Sequence, residues 1–515
     1  MSDLSWPLER ARLVRHDAAA VVDGERSLTY GALAARVGAL GAALDELGLD
    51  EGARVGYLGV NSLPHLECWL AVPAFGRVLV DLNFRLAVEE LAFLVDDSGI
   101  AILVSDAAQL DVARGLRRRC AGLRQLILDA PGPSPEDCLA YEDLLARPAA
   151  PPPGVETDAL AAISYTGGTT GTPKGVMLSH GNLLANAQHN LIATGHRPEH
   201  RFLHVPPMFH VAGTANVFAC TWVGATQVVV PRFDARAVLA AVERERITHT
   251  VLVPTMLAML LEAPEFNAAD LSSLRNVQYA ASPISPELQR RALERLPCEI
   301  AQFYGMTEAA PTVTHLTPED HRRGGPRLAS MGVPVAGVQV EVRGPGGDRV
   351  PAGEVGELWI RGPNVMLGYW NRPDATVEAL VDGWYRSGDI VRGDGDGYLY
   401  MVDRAKDMII TGGENVYSIE VEAVLSEHRD VLEAAVFGIP DARWGEAVHA
   451  VVTVGPGSSV GVEELVAHTR RRIAGFKVPR SIELRAEPLP KSGAGKVLKS
   501  QLRDAFWPGH ERRVS

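Results

Sequence analysis

Up to about residue 330, short apolar runs alternate with segments of helical period. The runs at 54–59, 78–81, 100–105, 159–164, 227–230 and 249–253 have the length of buried strands, and segments such as 30–47 between them read as helices. Strands separated by helices predict a parallel-rich α/β core. Past residue 330 the strand signals shorten, at 338–342, 356–360 and 398–402, and are parted by Gly, Pro and Asp turns, which predicts a more antiparallel region. From Asp403 a compact unit follows, with strands predicted at 408–410, 434–438, 448–454 and 482–486 and helices at 418–428 and 462–474. The expected fold class is therefore α/β: a large N-terminal domain of parallel-rich sheets covered by helices, a β-rich subdomain, and a small α+β C-terminal domain.

Composition adds limits. A chain of 515 residues exceeds what one hydrophobic core serves, so two or more lobes are expected. The net charge of −13 disfavours nonspecific binding to nucleic acid or to an anionic membrane surface. Five scattered cysteines without a CxxC pair read as reduced, structural residues of a cytoplasmic protein. The first 17 residues lack the apolar stretch of a signal peptide, and no segment offers the roughly 20 apolar residues of a membrane-spanning helix.

The most informative chemistry lies at 165–176, Tyr-Thr-Gly-Gly-Thr-Thr-Gly-Thr-Pro-Lys-Gly-Val, directly after a strand signal and before a helix expected from near His180. Gly167, Gly168, Gly171 and Gly175 let backbone N–H groups turn toward anionic oxygens. Thr166, Thr169, Thr170 and Thr172 add hydroxyl donors, and Lys174 adds a point charge. This is the composition of a triphosphate cradle. It departs from the Walker P-loop, because Pro173 and Gly175 flank the lysine where that motif needs Gly and Ser or Thr. The metal ligand must come from elsewhere in the chain. Tyr304-Gly305-Met306-Thr307-Glu308 brings an aromatic ring, a hydroxyl and a carboxylate within five residues, enough to stack a base, touch a phosphate and hold a hard cation.

Further stretches occur in order: Pro-Pro-Met-Phe-His at 206–210, Gly-Glu-Leu-Trp-Ile-Arg-Gly at 356–362, Trp-Tyr-Arg-Ser-Gly-Asp at 384–389, Asp-Arg-Ala-Lys-Asp at 403–407, Gly-Gly-Glu-Asn-Val-Tyr at 412–417 and Pro-Lys-Ser-Gly-Ala-Gly-Lys at 490–496. With the loop, this ordered set resembles the adenylate-forming enzymes, which include acyl-CoA synthetases, firefly luciferase and peptide-synthetase adenylation domains. The resemblance extends over nearly the whole chain and is greatest to the acyl-CoA synthetases. It implies domains at 1–402 and 403–515 with a hinge at Asp403, and makes the proline-rich stretch 147–154 a connector inside the first.

The resemblance also implies roles. Tyr304 packs on adenine beside a wall of Ala280, Ala281 and Ser282, Thr307 contacts the α-phosphate, and Glu308 coordinates Mg2+. Asp389 and Arg404 hold the ribose, and Lys174 assists the departing pyrophosphate. Lys496 bridges the attacking carboxylate and the α-phosphate, whereas Lys491 and Lys499 are expected to be solvated. Gly412 and Gly413 line a CoA tunnel, and His210 gates an acyl pocket walled by Val211, Thr214, Ala280, Gly305, Met306, Ala309 and Ala310.

Amino-acid-activating relatives usually carry Asp where this chain has His210 after Phe209, so a plain carboxylic acid is favoured. The small, uncharged lining suits a hydrophobic, bulky acid, whether aryl, alicyclic or fatty. The expected activity is ATP-dependent formation of an acyl-adenylate, then transfer to coenzyme A. The alternatives are a ligase loading a carrier-protein thiol, a luciferase-like oxygenase, and a noncatalytic nucleotide- or acyl-binding homologue. The chain's ending at residue 515 without a fused carrier domain favours free CoA.

Overall fold

The computed structural model describes residues 3–166, 173–282, 284–404, 407–411, 414–441, 443–455, 457–491 and 497–507. Contacts divide the chain into two units: Met1–Leu328 with Gly332–Gln339 and Arg361–Tyr385, and Ala329–Met331 with Val340–Ile360 and Arg386–Ser515.

Among the described residues, the first unit holds a nine-stranded and an eight-stranded sheet. In the nine-stranded sheet, Ala19–Asp23, Thr226–Val229, Arg201–His204, His249–Leu252, Asn276–Tyr279 and Glu299–Gly305 pair in parallel succession, and Thr312–Leu316 closes onto the last of them antiparallel. In the eight-stranded sheet, Gln125–Asp129, Ile100–Asp106, Arg54–Leu58, Val78–Leu82 and Leu160–Thr166 are parallel neighbours. Helices cover these strands, so Val78–Leu82, Thr226–Val229 and His249–Leu252 are buried at every position. This is why their sequences lack a strict apolar–polar alternation, with Asp81, Gln227 and His249 buried among apolar neighbours. One core gathers Leu203, Val228, Val277 and Ile300 under the first sheet, and another gathers Val80, Leu103, Leu126 and Ile163 under the second.

The expected helix at 30–47 is Tyr30–Glu46, started by Thr29, whose hydroxyl accepts from the Ala32 N–H at 3.2 Å. Residues 147–154 run within the first unit, with the Ala150 N–H donated to the Gly38 carbonyl. One local expectation fails. The Gly/Thr-rich loop does not lead into the helix His180–Thr194: the strand Lys174–Ser179 intervenes and pairs antiparallel with Leu160–Thr166, Thr166 opposite Lys174. Its apolar run Val176-Met177-Leu178 is short and directly follows the motif, so the motif's glycines mask the strand signal.

In the second unit, Trp384–Gly393 continues from the first unit and pairs antiparallel with Leu399–Arg404, Asp389 opposite Arg404. A further sheet joins Ile409–Thr411, Val431–Asp441 and Gly445–Val454, with Ser481–Arg485 parallel to the last. The helices Ser418–Ser426 and Val462–Arg470 bury Val421, Leu425 and Leu465 against Val436, Ala450 and Val452. The large parallel-rich sheets, the β-rich stretch and the C-terminal α+β unit make up the α/β class expected from the sequence.

Candidate active site

Residues 167–172, which carry Gly167, Gly168, Thr169, Thr170, Gly171 and Thr172, lie outside the described residues, as do Gly412, Gly413 and Lys496. Thr166 ends one strand, its hydroxyl 3.4 Å from the Lys174 carbonyl, and Lys174 opens the next. A third short strand, Gly368–Tyr369, adds antiparallel to Lys174–Ser179, placing Tyr369 opposite Val176, and the Trp370 N–H bonds the Gly175 carbonyl at 2.7 Å. A Cβ on Gly175 would lie 2.7 Å from Ile163 and 3.3 Å from Trp370, so only glycine permits this approach.

Tyr369 joins two expected site residues that are far apart in sequence. Its ring lies 5.0 Å beneath Lys174 Nζ, and its hydroxyl donates to Glu308 Oε1 at 3.0 Å. Burial, and then the Glu308 charge, push the Tyr369 phenol well above its usual range, so it remains a donor. The base of the hairpin is clamped as well. Asp97 accepts from the Tyr165 hydroxyl at 2.6 Å and from Arg372 at 3.0 Å, and its backbone carbonyl accepts from Trp370 Nε1 at 2.9 Å. Tyr369 and Asp97 are absent from the sequence reading. The signal for the first was the run Tyr-Trp-Asn-Arg-Pro at 369–373, and nothing local marks the second.

Tyr304, Gly305 and Met306 leave the C-terminal end of the strand Glu299–Gly305, and Thr307 and Glu308 form a single 3-10 turn, Thr307–Ala309. A Cβ on Gly305 would overlap the Pro311 carbonyl, which makes the tight return to Thr312–Leu316 dependent on glycine. The turn is pinned by the Met366 N–H on the Glu308 carbonyl at 2.9 Å and by Asn364 Nδ2 on the Ala309 carbonyl at 2.7 Å. Ala280, Ala281 and Ser282 follow Asn276–Tyr279, the neighbouring strand, and Ala281 takes φ +74°. A side chain held in the left-handed region costs of order 1 kcal/mol and marks a backbone path fixed by its surroundings.

Asp389, 7% exposed, is 3.4 Å from Arg404 across the strand pair. Asp403, fully buried, accepts from the Arg404 N–H at 2.7 Å and from the Ser418 backbone N–H and hydroxyl, so it caps the helix Ser418–Ser426. Desolvation raises its carboxyl above the ordinary range, opposed by the nearby Lys499 charge. Lys499 is not solvated as expected: its ammonium bonds Ser418 Oγ and Glu422, each at 2.7 Å. Lys491 pairs with Glu433.

Around the expected acyl pocket, His210 precedes the turn Val211–Thr214 and lies tilted against Phe209 at 4.6 Å, and Phe209 meets Phe84 edge-on at 5.3 Å. Val211, Ala280, Gly305 and Met306 are partly exposed, and Thr214 is buried. Ala309, the last residue of the 3-10 turn, and Ala310 after it are 0% and 1% exposed, and so offer no surface to an open pocket. Among the described residues, no helix is long and apolar enough to cross a membrane.

A cation on a glycine-rich hairpin, tied through one tyrosine to a carboxylate at the tip of a neighbouring sheet, is an arrangement that can hold a polyphosphate. The family described as AMP-binding enzyme matches residues 8–370, and its C-terminal domain matches 420–496; the chain belongs to this family. It is 42% identical over 504 residues to a feruloyl-CoA synthase from Amycolatopsis sp, covering 98% of each chain. It is 39% identical to an indoleacetate–CoA ligase from Aromatoleum aromaticum, covering 93% of each. Among solved structures, the amide bond synthetase McbA from Marinactinospora thermotolerans superposes with a TM-score of 0.89 at 34% identity, over 98% of this chain and 99% of that one.

Proposed function

We propose that the protein is an AMP-forming carboxylic acid–CoA ligase for a hydrophobic, bulky acid, with aryl acids the first class to test. The observation that carries the reading is the Lys174–Tyr369–Glu308 assembly at the base of the Gly/Thr-rich hairpin. Two relatives of high identity, a feruloyl-CoA synthase and an indoleacetate–CoA ligase, favour aromatic acids and a thiol acceptor.

In this reading the hairpin amides, Thr166 and Lys174 hold the triphosphate, and Tyr304 stacks on the adenine against Ala280, Ala281 and Ser282. Asp389 and Arg404 bind the ribose. Thr307 orients the α-phosphate for in-line attack by the substrate carboxylate, and Lys496 neutralises the charge that gathers between them. Glu308 suits Mg2+: Tyr369 occupies one acceptor position, and a carboxylate has about four. The bound ion would screen the phosphate charge and polarise the reacting phosphoryl group. The products of this half-reaction are acyl-adenylate and pyrophosphate. In the second, the CoA thiol attacks the acyl carbonyl and AMP leaves, after a rotation about Asp403 that withdraws Lys496 and brings Gly412 and Gly413 to the thiol path. His210 and the partly exposed Val211 and Met306 then face the acyl group.

The test is mass spectrometry of products from aryl, alicyclic and fatty acids with MgATP, with and without CoA. Acyl-CoA formed only with CoA supports the reading and identifies the acid class. Acyl-adenylate that CoA does not consume moves the acceptor to a carrier-protein thiol or an amine, and no pyrophosphate from any acid overturns catalysis.

A further inference from the structure

The parallel strands that end at Tyr279 and Gly305 begin, at their other end, on a cavity of about 610 Å³ lined by His200, Thr248, His249, Asn276 and Glu299, among others. The four-residue strand Asn276–Tyr279 alone sets about 13 Å between this mouth and the expected adenine wall. Three histidines from two segments meet here: His196 and His200 from the turn after helix His180–Thr194, and His249 from the start of its strand. One ring nitrogen of each lies within 4.8 Å of the other two.

The hydrogen bonds set two of the three tautomers. His196 Nε2 is 3.1 Å from Asn216 Oδ1, which can only accept, so Nε2 carries the proton. Its Nδ1 is then a bare lone pair, in a residue 6% exposed, with no hydrogen-bond partner. The Thr248 hydroxyl donates to the Arg201 carbonyl at 3.1 Å, so its 2.8 Å contact with His249 Nδ1 is a bond donated by the imidazole, which leaves Nε2 as the lone pair. His200 is the partly exposed member. It stacks on His249 at 4.1 Å, and its Nδ1 accepts from the Arg197 N–H at a long 3.2 Å. A buried imidazole nitrogen without a hydrogen-bond partner is costly in an apolar interior, and its lone pair is open to a cation.

We propose that His196, His200 and His249 bind a divalent transition-metal ion, zinc foremost, with a water from the cavity as fourth ligand. Tetrahedral bonds of about 2.0–2.1 Å place ligand nitrogens about 3.4 Å apart, so the nitrogens close by at most about 1.5 Å; to ligate through Nε2, His200 turns out of its stack on His249, gives up the long Arg197 hydrogen bond and carries its proton on Nδ1. Asn216 and Thr248 act as the outer partners that orient two of the ligands. Three imidazoles with no carboxylate among the ligands select zinc, copper or nickel over magnesium or calcium.

The test uses the full chain without a histidine tag, stripped with EDTA and titrated with Zn2+ against a chromophoric chelator. Parallel samples carry Co2+ for visible spectroscopy. The expected result is one ion per chain, intense tetrahedral Co2+ bands, and a Zn2+-dependent rise in unfolding temperature. His200→Ala and His249→Asn should each weaken binding by about a hundredfold and abolish the bands, with His200→Ala, at a partly exposed site, serving as the variant that keeps the fold. Binding below one equivalent, or binding unchanged in both variants, would overturn the proposal.

Discussion

Replacing Tyr369 by Phe removes one oxygen and leaves the rest of the site in place. The ring stays 5.0 Å beneath Lys174, but Glu308 loses the hydroxyl that donates to it at 3.0 Å. Hydrogen bonds to a charged group contribute about 1.5–3 kcal/mol, and part of the loss falls on a carboxylate that must hold a cation. At about 1.4 kcal/mol per tenfold, kcat/KM for pyrophosphate release should fall by about 10- to 100-fold. A positioning role also predicts a higher Mg2+ requirement, because Glu308 is held by one hydrogen bond fewer. The assay is continuous pyrophosphate release at saturating acid over a Mg2+ titration, with unfolding temperature as the control for stability. Tyr369→Phe with wild-type rates at every Mg2+ concentration would refute the coupling between Tyr369 and Glu308.

Two further outcomes are expected. Lys496→Ala should abolish adenylate formation while supplied acyl-adenylate is still converted to thioester, and equal loss in both half-reactions would remove Lys496 from its role. His180 is buried with its Nδ1 accepting from the Leu4 N–H at 3.1 Å, and desolvation lowers its pKa from 6.5 to about 4. The unfolded chain therefore binds the proton first: the stability due to neutral His180 is complete above pH 6.5 and is lost as pH falls toward 4, by about 3 kcal/mol. His180→Asn, which keeps an acceptor near Nδ1, should make the urea midpoint fall less steeply between pH 6.5 and 4; an unchanged slope would show that other groups dominate.

The α/β class and most strand positions were legible because buried parallel strands write themselves as short, mostly apolar runs without strict alternation: 78–81 against the observed Val78–Leu82, and 249–253 against His249–Leu252. The Gly/Thr-rich stretch and Tyr304–Glu308 stood out as candidates because each is contiguous. Tyr369, Asp97 and the Lys499–Glu422 pair were not, since each acquires meaning only when strands or helices distant in sequence are brought together. Lys499 looked solvated because a lysine beside a Gly-rich stretch carries no local sign of a buried partner. The strand Lys174–Ser179 was hidden by the motif that begins it, and the three clustered histidines belong to no short pattern at all.

The hairpin origin of the nucleotide loop bears on how the chain could be re-engineered. Where a phosphate loop runs straight into a helix, adding one residue turns the whole helix by about 100° and spoils its packing. Here the Thr166–Lys174 pair closes a ladder on both sides of residues 167–172. The strand Lys174–Ser179 is held by its pairing with Leu160–Thr166 and Gly368–Tyr369, and the helix His180–Thr194 starts on its own Ser179 cap, so a change of length between 166 and 174 is expected to leave both in place. Loop length thus becomes a variable that a library can sample without a redesign of the core, with the proposed phosphate contacts as the property under selection.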